Sequence, residues 1–173
     1  DVHGATLGIV GFGRIGQAMA RRARGFDMRV VFFDPTHPEA HDPHTGAVKV
    51  DLDELLAQSD FLSLHAPLSG KNRGMFNADA FGKMKSGAIL INTARGGLVD
   101  QTALYDALKS GKLAAAALDV SDPEPLPADH PLLTLDNLLM TPHIASASSS
   151  TREKMSLMAA ENVLAGLRGE RLP

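Results

Sequence analysis

A short apolar run, Leu7-Gly8-Ile9-Val10, ends in Gly11-Phe12-Gly13-Arg14-Ile15-Gly16, and a second run, Val30-Val31-Phe32-Phe33, stops on Asp34. A strand that turns through G-x-G-x-x-G into a helix, then returns as a strand ending on an acid, is the βαβ unit that suits a dinucleotide. Gly11 allows the tight turn out of the strand. Gly13 lets the backbone approach a pyrophosphate, and Gly16 lets the helix sit close on the strand. The helix N-terminus offers unpaired N–H groups and a partial positive charge to the phosphates. Asp34 stands where a carboxylate can accept bonds from the adenosine ribose hydroxyls.

The pattern continues. Apolar runs at Thr6–Val10, Arg29–Phe33, Asp60–His65, Ala88–Asn92, Ala114–Val120 and Asn137–Met140 read as buried strands, with a short one at Ala47–Val50. They are continuous rather than alternating, as in parallel strands covered on both faces. Helical patterns lie between them at Ile15–Gly25, Leu52–Gln58, Ala78–Met84 and Thr102–Ser110. Gly25 is a stop signal for the first, Asp51 or Asp53 can cap the second, and Asp100 can cap the fourth, with Gly111 after its end. A last helix, about Ser149–Leu167, starts in a run of serines suited to capping. It carries Met155, Met158, Ala159, Val163, Gly166 and Leu167 on one face, which reads as core. Strand and helix alternating through short connections imply a Rossmann-like, doubly wound α/β fold: a mainly parallel sheet of about six or seven strands with helices on both faces. Residues 1–173 read as a single domain, with no internal repeat.

Composition narrows the partners. The 173 residues carry a net charge of −3, which gives no electrostatic case for nucleic acid. No apolar stretch is long enough to span a membrane. There is no cysteine, so disulfides and thiolate chemistry are excluded, and a reducing, cytoplasmic setting is expected.

In an open α/β sheet, ligands bind beyond the carboxyl ends of the strands. The polar residues there are Asp34, His65, Asn92-Thr93-Ala94-Arg95, Asp119 and Pro142-His143, with Glu124 on the loop leaving the Ala114–Val120 run. Arg95 precedes Gly96-Gly97, which free the backbone to turn sharply, and can present a planar fork to a carboxylate. His143 follows Pro142 and can exchange a proton with a hydroxyl or carbonyl near neutral pH. A carboxylate bonded to His143 would orient the ring and favour imidazolium. Glu124 and Asp122 both fit that role, and spacing does not choose between them. Asp119 can accept a bond from a nicotinamide carboxamide or brace its loop. His37, His41 and His44 lie in a proline-broken loop, an arrangement poor for a metal, and no metal site is expected.

With these residues in view, the chain resembles the D-isomer-specific 2-hydroxyacid dehydrogenases. The matching stretches are Thr6–Gly16, Ile91–Asp100, Leu118-Asp119-Val120 with Pro123-Glu124-Pro125, and Thr141–Ser146. Asp119–Pro131 followed by Leu132-Leu133-Thr134-Leu135, and Ala160–Glu170, look most like the glyoxylate/hydroxypyruvate reductases of that family. The resemblance implies a nucleotide domain whose separate substrate domain is absent from these residues. It also implies homodimers formed through this domain. Arg95 would bind the carboxylate or carbonyl of a small 2-oxo or 2-hydroxy acid. Glu124 rather than Asp122 would pair with His143, and His143 would give a proton to the carbonyl as hydride arrives. The cofactor contacts it implies are Gly11, Gly13, Arg14, Ile15, Gly16, Asp34, His65, Ala66, Thr93, Ala94, Arg95, Asp119, His143 and Ala145.

Some relatives of that subfamily prefer NADP and place Arg or Ser near the ribose. Here Asp34 would repel a 2′-phosphate and no arginine follows it in the loop, so NAD is expected over NADP. Two other readings share the scaffold: a formate or phosphite dehydrogenase, and an NAD-sensing corepressor of the C-terminal-binding-protein type. Glu124 counts against the formate case, where that branch usually has Gln. A regulatory module without chemistry does not explain why Arg95, Glu124 and His143 occur together.

Overall fold

A computed structural model describes residues 1–172. It divides into two compact units, Asp1–Pro142 and the segment from His143 onward. Among the described residues, seven strands form one sheet: β1 (Thr6–Val10), β2 (Arg29–Phe33), β3 (Val48–Lys49), β4 (Phe61–Leu64), β5 (Ala88–Asn92), β6 (Leu113–Leu118) and β7 (Leu138–Met140). All pairings between these strands are parallel, in the order β3-β2-β1-β4-β5-β6-β7. The order reverses between β1 and β4, the switch point where such sheets take ligands at their carboxyl edge.

The sheet separates two cores. On one face α1 (Arg14–Ala23) covers Leu7, Ile9, Val30 and Phe32. On the other, α2 (Leu52–Gln58), α3 (Ala78–Lys83) and α4 (Gln101–Lys109) cover Val10, Val31, Leu62, Leu64, Leu90 and Leu118. This is the expected Rossmann-like fold. Coverage of both faces holds for β1, whose five residues are all buried, but not throughout. In β5 and β6 burial alternates: Ile89, Ile91, Ala115 and Ala117 are only half-buried. Their apolar side chains made the runs look continuous although one side is open.

Several helix signals resolve differently from their reading. Gly25 does not stop α1. The chain runs on into a 3-10 turn, Arg24–Phe26, and Asp27 takes the left-handed position at φ 52°. Asp51 stands at the N-cap of α2 without a side-chain capping bond. Asp100 does cap α4, accepting from the Thr102 and Ala103 N–H groups at 2.9 and 3.1 Å, and Gly111 follows at φ 75°.

In the second unit Ser148 caps α5 (Ser149–Leu167), accepting from the Thr151 N–H. The core face assigned to α5 does not hold. Met155, Met158, Ala159, Val163, Gly166 and Leu167 are all exposed, and so are Leu157 and Leu164. The apolar residues ring this helix instead of forming one stripe, so no single face gathers them; Ala165 is the buried one. Among the described residues no helix is long and apolar enough to cross a membrane.

Candidate active site

The three glycines of the first turn act in three ways. Gly11 has φ +87°, and a Cβ on it would lie 2.7 Å from the Ala66 amide nitrogen, so the end of β4 presses on the turn. A Cβ on Gly16 would meet the Gly11 carbonyl oxygen at 2.2 Å, which fixes the close seat of α1. A Cβ on Gly13 would meet nothing within 4 Å. Gly13 is also the N-cap of α1 and brings no side-chain bond to its amides. Arg14 and Ile15 beside it are exposed. Phe12 points inward and stacks on Phe32 at 3.8 Å between ring centroids, and His37 sits edge-on to both rings.

Asp34 ties the end of β2 to this turn. Its Oδ2 accepts from the Phe12 N–H at 2.8 Å, and its Oδ1 accepts from the Thr36 N–H and hydroxyl at 2.8 and 2.7 Å. Burial pushes the carboxyl pKa up, but these bonds outweigh burial and hold it below the usual carboxylate value. Asp34 is therefore ionised at neutral pH. A cavity of about 550 Å³ opens beside it, lined by Gly11, Asp34, Leu52, Ala66, Pro67 and Met75 among others. His65, at the end of β4, has Nε2 2.9 Å from Ser63 Oγ, and burial pushes its pKa down. Open backbone at Gly13, uncapped helix amides, an ionised acid on the next strand and an apolar cavity beside it together fit a dinucleotide.

Across the switch point, Arg95 lies on the loop after β5 with its side chain exposed, and its Nη1 donates to the Ala94 carbonyl at 2.6 Å. Thr93 is exposed and Ala94 half-buried. Neither Gly96 nor Gly97 has a positive φ, so freedom to turn is not what they supply. A Cβ on Gly96 would lie 2.0 Å from the Ser121 carbonyl oxygen, and one on Gly97 2.9 Å from a Leu68 methyl. Gly96 lets the loop after β6 pass close by, and Gly97 makes room for the Leu68 side chain from the segment after β4. Asp119, buried at the end of β6, accepts from the Thr141 hydroxyl at 2.5 Å. Glu124 is exposed on the loop beyond. Asp122 is engaged by the Arg73 guanidinium, and its backbone is held by the Gln101 side chain. Neither contact was anticipated from sequence.

His143 and Ala145 belong to the second unit, and both are exposed. His143 has φ +54°, the left-handed region that few non-glycine residues adopt. His37 lies against Phe12 and Phe32, with Nε2 buried and without a hydrogen-bond partner. Among the described residues, no group of three or more His, Cys, Asp or Glu is placed to hold a metal ion.

The model of the D-isomer specific 2-hydroxyacid dehydrogenase NAD-binding domain matches residues 1–145, a span that takes in every residue placed above. The chain belongs to this family. NAD is accordingly the cofactor of the domain described here. The chain is 52% identical over 170 residues to the glyoxylate reductase of Korarchaeum cryptofilum, covering 98% of this chain and 51% of that protein. It is 50% identical over 170 residues to the human glyoxylate reductase/hydroxypyruvate reductase, covering 98% of this chain and 52% of that one. Among solved structures, the TT0316 protein of Thermus thermophilus superposes with a TM-score of 0.92 at 50% identity, over 100% of this chain and 54% of its own. The chain thus spans about half the length of the relatives it matches.

Proposed function

We propose that this chain carries the cofactor site and the reacting groups of an NAD-dependent reductase of small 2-oxo acids, of the glyoxylate and hydroxypyruvate kind, reversible on the D-2-hydroxy acids. One observation carries the reading. Arg95 presents an exposed guanidinium from a braced loop in the row of strand ends that holds the open Gly13 turn. The names of the relatives support the substrate class.

When bound in this row, NADH supplies a hydride. Gly13 and the amides at Arg14 and Ile15 hold its pyrophosphate, with Gly11 and Gly16 fixing the turn. Asp34 accepts from the ribose hydroxyls and, being charged, repels a 2′-phosphate. His65, Ala66, Thr93, Ala94, Asp119 and Ala145 complete the contacts. Arg95 grips the substrate carboxylate through its planar fork. Glu124 orients the His143 ring. His143 gives a proton to the carbonyl oxygen during reduction and takes it back during oxidation. The engagement of Asp122 by Arg73 supports Glu124 as the carboxylate partner.

We take residues 1–173 as one dinucleotide-binding domain whose substrate domain lies elsewhere in the protein, so this piece alone turns over little. A cytoplasmic homodimer formed through this domain is the expected assembly, without nucleic-acid or membrane partners. The test is turnover by the full-length protein with glyoxylate or hydroxypyruvate. NADH is expected to support it better than NADPH, and Arg95→Gln to raise KM for the 2-oxo acid by about tenfold to a hundredfold, the worth of one charge-assisted bond. Failure to reduce any small 2-oxo acid would sink the reading.

A further inference from the structure

Asn92 closes β5 and is fully buried, yet no chemistry described above uses it. Its amide nitrogen donates to the Arg95 carbonyl at 2.9 Å, and its amide oxygen accepts from the Ala94 N–H at 3.0 Å. The Ala94 carbonyl in turn receives the Arg95 guanidinium at 2.6 Å. One buried side chain thus clamps the backbone on either side of the Ala94–Arg95 peptide, at the Ala94 N–H and at the Arg95 carbonyl. The clamp is tied sideways as well. The Asn92 carbonyl accepts from the Asp119 N–H at 2.9 Å, and the Asp119 carboxylate accepts from the Thr141 hydroxyl at 2.5 Å. A chain of hydrogen bonds therefore runs across the ends of β5 and β6 and the exit of β7.

We propose that Asn92 is a positioning residue that aims Arg95 at the substrate carboxylate. The inference rests on the reading of Arg95 as the substrate anchor. An arginine swinging on an exposed loop would spend its binding on being ordered, whereas a loop clamped from beneath presents the fork already placed. The side-chain bonds of Asn92 reach Ala94 and Arg95 but neither the Gly13 turn nor Asp34, where the pyrophosphate and ribose are placed, so its loss should weaken substrate binding more than cofactor binding.

The experiment is a double-mutant cycle in the full-length protein with Asn92→Ala and Arg95→Gln, read as KM for glyoxylate beside the Kd for NADH. Asn92→Ala is expected to raise KM by on the order of tenfold, as misplacement of a binding group does, and to raise the NADH Kd by a clearly smaller factor. In the Arg95→Gln background it should add almost nothing, because groups acting through one another are not additive. Asn92→Asp keeps the shape and the acceptor for Ala94 but lacks the amide donor, and it decides the matter if the alanine variant does not fold. A KM rise in Arg95→Gln alone, with both Asn92 variants at the wild-type KM, would overturn the positioning role and leave the anchor standing. Additive effects in the cycle would overturn it too, since they mark a general loss of structure. No KM rise in Arg95→Gln would instead overturn the anchor, and with it this inference.

Discussion

Three glycines two to three residues apart illustrate how one letter carries unlike physics. Gly16→Ala must push a methyl into the Gly11 carbonyl oxygen, a backbone atom with nowhere to go. We expect it to cost more than about 2 kcal/mol, as steric overpacking does, seen as a lower urea midpoint. Gly13→Ala meets open space, so its midpoint should move by less than about 1 kcal/mol. Its NADH affinity, read by fluorescence titration, should nevertheless fall by at least about tenfold, because the methyl occupies the approach to the helix amides. Equal affinity in wild type and Gly13→Ala would contradict the placing of the phosphates. The parts that Gly11 and Gly16 play in the turn were legible in the sequence because the motif encodes backbone conformation. Those of Gly96 and Gly97 were not, since Gly96 is demanded by the Ser121 carbonyl some 25 residues further on and Gly97 by the Leu68 side chain well before it, neighbours that no local pattern announces. The same holds for Asp122: its partner Arg73 lies 49 residues away.

At the level of elements, strand and helix positions were readable because burial imposes apolar runs and caps impose particular residues. Asp100 shows it: the carboxylate satisfies two orphan amides of α4. Asp100→Ala should cost about 1 kcal/mol, measured by denaturant unfolding, with no change expected for Asp51→Ala, whose side chain makes no capping bond. What the apolar pattern could not convey was how much of each surface is covered. Continuous runs in β5 and β6 suggested two covered faces, and the structure gives them one. In α5 the methionine spacing suggested core, but apolar residues ring the helix and stay exposed. Met158→Lys or Val163→Lys should accordingly shift the stability of this chain by no more than about 0.5 kcal/mol, the usual surface value. A loss of several kcal/mol would restore the core reading.

Over the whole molecule, the sheet places every proposed contact of the first unit along its carboxyl edge, and the charges that hold the sheet set its response to acid. The Asp60 carboxylate bonds Lys85 and the Thr6 N–H, and these interactions hold its pKa down. Asp34 and Asp42 are held down as well, their hydrogen bonds outweighing burial. Acids lowered in this way bind fewer protons folded than unfolded. Their stabilisation is complete above the unfolded pKa of about 4 and is lost as pH falls through the folded values. His65, lowered by burial, resists protonation when folded, so a shallower loss begins below about pH 6.5. Thermal midpoints should decline gently from pH 7 and steeply below about 4, with Asp60→Asn flattening the steep limb; a midpoint constant down to pH 3 would contradict this. The central claim, the proposal that the full-length protein couples hydride transfer to proton transfer, rests on His143 as the proton donor. Its most direct test is His143→Ala in the full-length protein, reading kcat for glyoxylate reduction beside the Kd for NADH. The account predicts kcat lower by about a hundredfold to ten-thousandfold, the usual worth of a general acid, with a far smaller change in the NADH Kd. A folded His143→Ala protein that turns over at the wild-type rate would contradict it.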